Sequence, residues 1–356
     1  MSKPRAALAV AATLLAGACA QSPSSSRGPE AGQPARSPYL VMVDARSGWA
    51  VVPSRSGWAL LHTGDGWASA TNATPPAVPT GGGLLLARVG AVAGLAVGVL
   101  PVDRLTVSPV LYGGVGSAWT TAELPGGLVS ARGALAAAGN AALLTRAGGT
   151  LVRRAPGRWI TLTDASRLAP GSGLRLDAVT WANARRGWLT GHAPAGAPVA
   201  FSTDDGGRTW DVIARAGHRS AAALAPCDMG TRWLLPVSAL GGSVRLMASA
   251  DSGGTWTTGA PIPAAAKPAW GCDAQRVWLV GGSASGERLY SSADAGASWQ
   301  ARAPAPAGLT DLAPTGGGAG WAMGLAGDRP VLWQVSGDGA VFRRTALPRV
   351  DGVQPG

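Results

Sequence analysis

Three carboxylates stand in nearly the same surroundings: Asp205 in STDDGGRTW, Asp251 in SADSGGTW and Asp294 in SADAGASW. Each stretch reads [Ser/Thr]-x-Asp-x-Gly-x-[Thr/Ser]-Trp, ending at Trp210, Trp256 or Trp299. A carboxylic acid set against a second acid or a tyrosine can serve general acid–base or glycosyl-transfer chemistry. A catalytic acid acts at one place, however, whereas this one recurs. The alternative is that each carboxylate accepts turn N–H groups, the glycine takes up positive φ, the Ser/Thr hydroxyl serves a neighbouring backbone group and the indole packs. The repetition favours that structural reading, so no catalytic residue is assigned.

A second set of groups suits anion recognition. Arg55, Asp103 with Arg104, Glu287 with Arg288 and Asp328 with Arg329 fall in one class of loop, and Asp164, Arg167, His218 and Arg219 in another. Converging guanidinium groups bind carboxylates and other anions bidentately. The plainer expectation is that neighbouring acids and arginines neutralise each other in solvated loops. His62, His192 and His218 are scattered without metal-ligand spacing, and there is no nucleophile elbow or phosphate loop, so neither metal nor cofactor is expected.

The elements that carry these residues repeat. The three motif tryptophans stand about 45 residues apart, which signals a repeat architecture. A second mark is a Trp five positions after a polar residue: Asp44 to Trp49, Asn183 to Trp188, Asp228 to Trp233 and Asp273 to Trp278, with Gly316 to Trp321 keeping the spacing without the acid. Each such Trp opens a short apolar strand. A unit therefore reads as four strands, as in LDAVTW, GWLTGH, VAFSTD and TWDVIAR. The first unit keeps Thr63, Asp65 and Trp67 in TGDGW, and the last keeps Ser336, Asp338 and Gly339 in SGDGAVF, with Phe342 in the Trp slot. Degraded copies end at Trp119 and Trp159. Seven units over 38–348 give about 44 residues each, a normal size for a four-stranded propeller blade. Gly-interrupted VGAVAGLAVGVLPV reads as the first hairpin of the second unit, not a membrane helix.

The motif resembles the Asp-box, or BNR, repeat of β-propellers. The resemblance implies an all-β fold, a seven-bladed propeller of four-stranded antiparallel blades. It makes Asp65, Asp205, Asp251, Asp294 and Asp338, with Trp67, Trp210, Trp256 and Trp299, structural box residues. It places ligands on the face opposite the boxes, where Arg55, Asp103, Arg104, Arg167, Arg219, Glu287, Arg288, Asp328 and Arg329 are the candidates. Sialidases share the repeat, but their chemistry needs an arginine triad, a Tyr nucleophile with a carboxylate partner and an acid/base Asp. Tyr39, Tyr112 and Tyr290 are the only tyrosines, and none sits in such a constellation by sequence. Other glycosidases of this repeat use two facing carboxylates, for which loop position offers Asp103 and Asp328. The repeat is also similar to that of photosystem II assembly factors and sortilin-type receptors, which bind protein partners. The expected function is a non-catalytic binding or scaffolding protein, monomeric, with a protein or anionic glycan partner; a sialidase-like or related glycoside hydrolase is the alternative.

Composition bounds the setting. Residues 1–19 carry Lys3 and Arg5, an apolar run from Ala6 to Ala18 and LLAGAC, which resembles a lipobox ending at Cys19; Ala16 departs from the usual Leu. This is the pattern of an exported chain, lipid-anchored at Cys19 outside the cytoplasmic membrane or, if cleaved conventionally, secreted. Residues 20–37 are Pro/Ser/Gly-rich and read as a tether, and 349–356 as a tail. Lys3 and Lys267 are the only lysines, so the net charge of +11 is almost all arginine, dispersed without a basic run; with export this argues against nucleic acid as a partner. Cys227 and Cys272 each precede a strand-opening Trp by six residues, so a disulfide between neighbouring units is expected in an oxidising compartment.

Overall fold

The computed structural model describes residues 39–54, 57–75, 83–89, 94–100, 110–115, 118–123, 135–138, 141–146, 150–155, 158–181, 185–194, 198–215, 227–228, 232–239, 242–251, 255–263, 265, 269–283 and 286–350. The signal-like segment, the tether and Cys19 lie outside them.

Strands follow one another as antiparallel meanders. The first blade is β1 (Tyr39–Met42), β2 (Gly48–Ser54), β3 (Gly57–Thr63) and β4 (Thr71–Asn72), paired in chain order. Next come β5 (Gly83–Val89), β6 (Gly94–Leu100), β7 (Val110–Val115), β8 (Ala118–Glu123), β9 (Leu135–Ala138), β10 (Ala141–Arg146), β11 (Thr150–Ala155) and β12 (Arg158–Asp164). A one-turn helix, α1 (Ala165–Leu168), leads to β13 (Arg175–Trp181), β14 (Gly187–His192), β15 (Pro198–Thr203) and β16 (Asp211–Arg215). The following blade is β17 (Cys227–Asp228), β18 (Trp233–Ala239), β19 (Ser243–Ser249) and an outer strand in two pieces, β20 (Thr257–Thr258) and β21 (Ile262–Pro263), both paired with β19. Then come β22 (Trp270–Cys272), β23 (Val277–Ser283), β24 (Gly286–Ser292) and β25 (Gln300–Pro304), and last β26 (Leu309–Gly316), β27 (Ala319–Ala326), β28 (Arg329–Ser336) and β29 (Val341–Thr345).

The all-β propeller of four-stranded antiparallel blades is as expected, but seven separate blades are not formed. Among the described residues five blades stand separately, and residues 83–164 form one eight-stranded sheet, ordered β12-β11-β10-β9-β5-β6-β7-β8. The cause is a parallel bridge between the innermost strands of two meanders, Val89 opposite Ala137.

Second strands such as β2 and β14 are buried along nearly their whole length. A strand covered on both faces loses the usual alternation and reads as a continuous apolar run, here Trp-Ala-Val-Val and Trp-Leu-Thr. The core accordingly lies between blades. Leu234 and Leu246 meet Val277 and Ala295 of the next blade, and Trp278, Val280 and Leu289 meet Leu312, Ala322, Trp333 and Val335 of the last. Leu40, Met42 and Trp67 meet Trp321, Met323 and Leu332, so the last blade packs on the first and closes the ring. Each of these large side chains contributes about 1.5–3 kcal/mol by burial.

Candidate functional site

The three repeated hairpins share one hydrogen-bond pattern. In the β15–β16 turn the Thr203 hydroxyl donates to Asp205 Oδ1 at 2.9 Å, and Gly207 N–H donates to Thr203 Oγ1 at 2.9 Å. Arg208 N–H and Thr209 N–H donate to Asp205 Oδ1 at 2.8 and 3.0 Å, and the Thr209 hydroxyl to Oδ2 at 2.7 Å. Asp294 receives the Ser292 hydroxyl, Ser298 N–H and the Ser298 hydroxyl at 2.7, 2.9 and 2.6 Å. Asp251 receives the Ser249 hydroxyl, Thr255 N–H and the Thr255 hydroxyl at 2.8, 2.8 and 2.6 Å. In the Asp205 copy the last letter is also bonded, Trp210 Nε1 donating to Gly207 O at 3.1 Å. Gly207 and Gly296, two residues after the aspartate, sit at φ of 87° and 85°, the left-handed region that a glycine enters without strain.

These bonds fix the charge state. The hydroxyl and N–H of Ser69 hold Asp65 down at about 2, and those of Thr255 hold Asp251 down at about 2. Thr209 donors push Asp205 lower still; at Asp294 burial opposes the shift, and the Ser298 and Ser292 donors outweigh it. A carboxylate held ionised, with its lone pairs occupied, is a poor general acid.

Two of the expected box positions differ. In the first blade Asp65 makes the same bonds, to Thr63, Ser69 N–H and the Ser69 hydroxyl. Trp67, however, stands two residues after the aspartate, in the glycine slot at φ 64°, and the residue in the Trp slot is Ala70. Trp67 is buried and its indole N–H points to Met42 Sδ at 3.4 Å. In the last blade the β28–β29 hairpin is tight, with Ser336 opposite Val341, and leaves no room for the wide turn. Asp338 therefore does not bind its own loop. Its carboxylate receives Arg276 Nη1 at 2.7 Å, Arg302 Nη2, the Ser291 hydroxyl at 3.0 Å and Trp278 Nε1 at 3.4 Å, all from the preceding blade.

The spacing of acid and Trp by five also has a cause. Asp44 Oδ1 accepts Arg46 N–H and Ser47 N–H, both at 2.7 Å, and Asp273 Oδ1 accepts Gln275 N–H and Arg276 N–H at 2.7 and 2.8 Å, closing the turn before each strand. Asp273 Oδ2 reaches on to Gly316 N–H at 2.8 Å, so the glycine that replaces the acid in the last blade is the donor for its neighbour's acid. Two second-strand indoles reach forward in the same way, Trp321 Nε1 donating to Ala45 O at 3.2 Å and Trp278 Nε1 to Asp338 Oδ1 at 3.4 Å, whereas the buried indole N–H groups of Trp49 and Trp188 find no partner among the described residues. The two hairpins on this side are themselves joined: Gly66 N–H to Arg46 O, Gly206 N–H to Arg185 O and Asp338 N–H to Gly318 O, at 2.8, 2.7 and 2.8 Å. The aspartate-bearing turns and the first hairpins thus share one face.

The loops between second and third strands lie at the opposite ends of those strands. Asp328 and Arg329 are exposed there, and Glu287 and Arg288 are half-buried, in the corresponding turns of adjacent blades. Ala305 N–H donates to Glu287 O at 3.0 Å, tying the outer strand to that turn. Arg167 is on α1, where Asp164 caps the helix by accepting Arg167 N–H at 2.9 Å and lies 3.6 Å from Arg167 Nε. Asp164 and Arg167 thus form an ion pair within one turn of helix. Arg55, Asp103, Arg104, Arg219 and His218 lie outside the described residues. Tyr290 donates its hydroxyl to Gly282 O at 3.1 Å within its own blade, which commits it to structure. His62 packs against Trp49 with ring centroids 4.9 Å apart, and burial lowers its pKa. Among the described residues no group of His, Cys, Asp or Glu is placed to hold a metal ion, and no helix is long and apolar enough to cross a membrane.

Asp311, on the innermost strand of the last blade, carries a marked perturbation that sequence reasoning missed. Its Oδ2 accepts Leu40 N–H at 2.8 Å across the junction with the first blade, and its Oδ1 accepts Leu312 N–H at 3.0 Å. Burial pushes its carboxyl up to about 7 against these bonds. The available signal was an acid in LTDLAPT, a stretch otherwise read as an apolar inner strand.

No family model and no curated protein sequence matches the chain. Solved structures do. The chain is similar to YCF48 from Cyanidioschyzon merolae, at 17% identity and a TM-score of 0.55, over 86% of this chain and 98% of that one. It is similar to an oligogalacturonate lyase solved with manganese, at 12% identity and a TM-score of 0.53, over 85% of each chain. A prolyl endopeptidase gives a TM-score of 0.61 at 8% identity, over 88% of this chain and 50% of that one, so the chain spans half of that enzyme's length. At such identities the likeness establishes the β-propeller fold.

Proposed function

We propose that this chain is a non-catalytic Asp-box propeller of the cell envelope, anchored by lipid at Cys19, whose face opposite the box turns binds a protein or anionic glycan. One observation carries the reading. The recurring carboxylates are occupied by their own turns, whereas Arg288 and Arg329 stand at corresponding loops of adjacent blades on the other face. Arg104 belongs to the same class of loop by sequence. The test is capture of envelope components, and binding of fluorescent oligogalacturonate, by the chain and by Arg104→Ala, Arg288→Ala and Arg329→Ala variants. Binding is expected to fall at least tenfold in the triple variant, about 1.4 kcal/mol. Unchanged binding would remove this face from consideration. Turnover of fluorogenic sialosides, abolished by Asp103→Ala or Asp328→Ala, would instead support a glycoside hydrolase.

The same proposal includes a Cys227–Cys272 disulfide. Cys272 packs with Leu234, the residue paired across the ladder from Cys227, which supports a short separation between the two. The intact mass of the mature protein reads both modifications. We expect a diacylglycerol increment that disappears in Cys19→Ser, and a two-dalton gain on reduction that disappears in Cys272→Ser.

A further inference from the structure

Arg276, Trp278, Ser291 and Arg302 belong to one blade and meet on a carboxylate that belongs to the next. Three donors reach a single oxygen of Asp338: Arg276 Nη1 at 2.7 Å, the Ser291 hydroxyl at 3.0 Å and Arg302 Nη2. Trp278 Nε1 faces the other oxygen at 3.4 Å. These donors stand 36 to 62 positions before Asp338 in the chain, whereas Asp205, Asp251 and Asp294 bind residues within four positions. The surface they make is a built one. Trp278 and Ser291 lie opposite each other on β23 and β24 and are 0% and 1% exposed. Arg302 Nε donates to Ser291 Oγ at 3.0 Å, which orients both the hydroxyl and the guanidinium. Arg276 and Arg302 keep 32% and 23% exposure, so the cluster is open to solvent on one side.

We propose that the blade of β22 to β25 carries a binding site for a carboxylate ligand, and that Asp338 fills this site in cis as a tethered plug. Charge balance is the first ground. Two guanidinium groups against one carboxylate leave a positive charge over, and among the described residues neither arginine pairs with a second acid. Asp273, nearest to Arg276 in sequence, spends its oxygens on the N–H groups of Gln275, Arg276 and Gly316.

The second ground is that the hairpin keeps its place by other means. Asp338 N–H donates to Gly318 O at 2.8 Å, and Ala303 N–H donates to Gly339 O at 3.2 Å, both ties of the main chain. What the Asp338 side chain adds is occupation of the site. Without it, two arginines held side by side over buried donors lack an anion, and a free carboxylate matches them in shape and charge. With it in place, a free ligand competes against a tethered one of high effective concentration. The cluster lies on the side of the aspartate-bearing turns, away from the loops of Arg288 and Arg329, so it stands independently of the function proposed above.

Acetate binding to the full chain tests this, read by saturation-transfer NMR of the acetate methyl group against chloride of equal ionic strength. Asp338→Gly is the variant of choice, because glycine accepts the φ of 59° at this position. It should bind acetate at least about tenfold more tightly than the parent, and adding Arg302→Gln should abolish the gain. Equal binding by the parent and Asp338→Gly, or a gain that survives Arg302→Gln, would overturn the proposal. If Asp338→Gly does not fold in chloride, its refolding in acetate decides: recovery in acetate alone upholds the site, and failure in both salts refutes it.

Discussion

The carboxylate of Asp205 accepts four donors from its own hairpin, and that of Asp338 accepts two guanidinium groups, a hydroxyl and an indole from the blade before it. Removing the first leaves solvent-facing N–H groups that water can serve; removing the second strands two arginines, neither more than a third exposed. Asp205→Ala should cost about 1 kcal/mol and Asp338→Ala about 2–3 kcal/mol, compared by urea unfolding. The pH response has a definite direction. Asp65 and Asp251 titrate below their unfolded value, so their stabilisation is present above about pH 4 and is lost as pH falls through about 2. Thermal unfolding from pH 5 to 2 should show that loss, and a smaller one in Asp251→Asn. The sequence displayed Asp205, Asp251 and Asp294 clearly because each binds residues within four positions of itself. Asp338 was misleading: Gly339 and Phe342 stand one position short of the motif's glycine and Trp slots, and its partners come from another blade. What decides between the two is the number of residues the hairpin leaves unpaired, a property of register.

Strand boundaries were legible for a related reason. The expected LDAVTW, GWLTGH and VAFSTD fall within two residues of β13, β14 and β15, because turn residues and apolar runs are local signals. The blade count was not, since the β5–β9 bridge joins strands almost fifty positions apart and leaves no periodic trace. Close approach between blades leaves no more trace in the sequence. A Cβ on Gly320 would lie 2.5 Å from Ala313 O and 2.8 Å from Trp278 Cζ3, an indole wedged from the neighbouring blade. Gly64 has open space around it. Gly320→Ala should destabilise by about 1–3 kcal/mol, while Gly64→Ala should stay within about 0.5 kcal/mol, both measured as shifts in denaturation midpoint. Equal shifts would mean that the blades separate more easily than their packing implies.

At the scale of the molecule, the ring of like units was readable from the repeated indoles, and its closure was not. Asp311, Leu347 and Val350 belong to no repeat; they have roles because the first and last blades are neighbours, a fact of assembly and not of pattern. Ligand preference is hidden for the same reason, since it depends on loops from several blades meeting over one face. The self-contained first and last blades carry a last consequence. With no strand exchanged between the chain's two halves, the order in which blades are synthesised is a free choice. A circularly permuted gene, its old ends joined by a Gly/Ser linker and new ends cut between two of the separately standing blades, should yield the same fold with a melting profile close to the parent's.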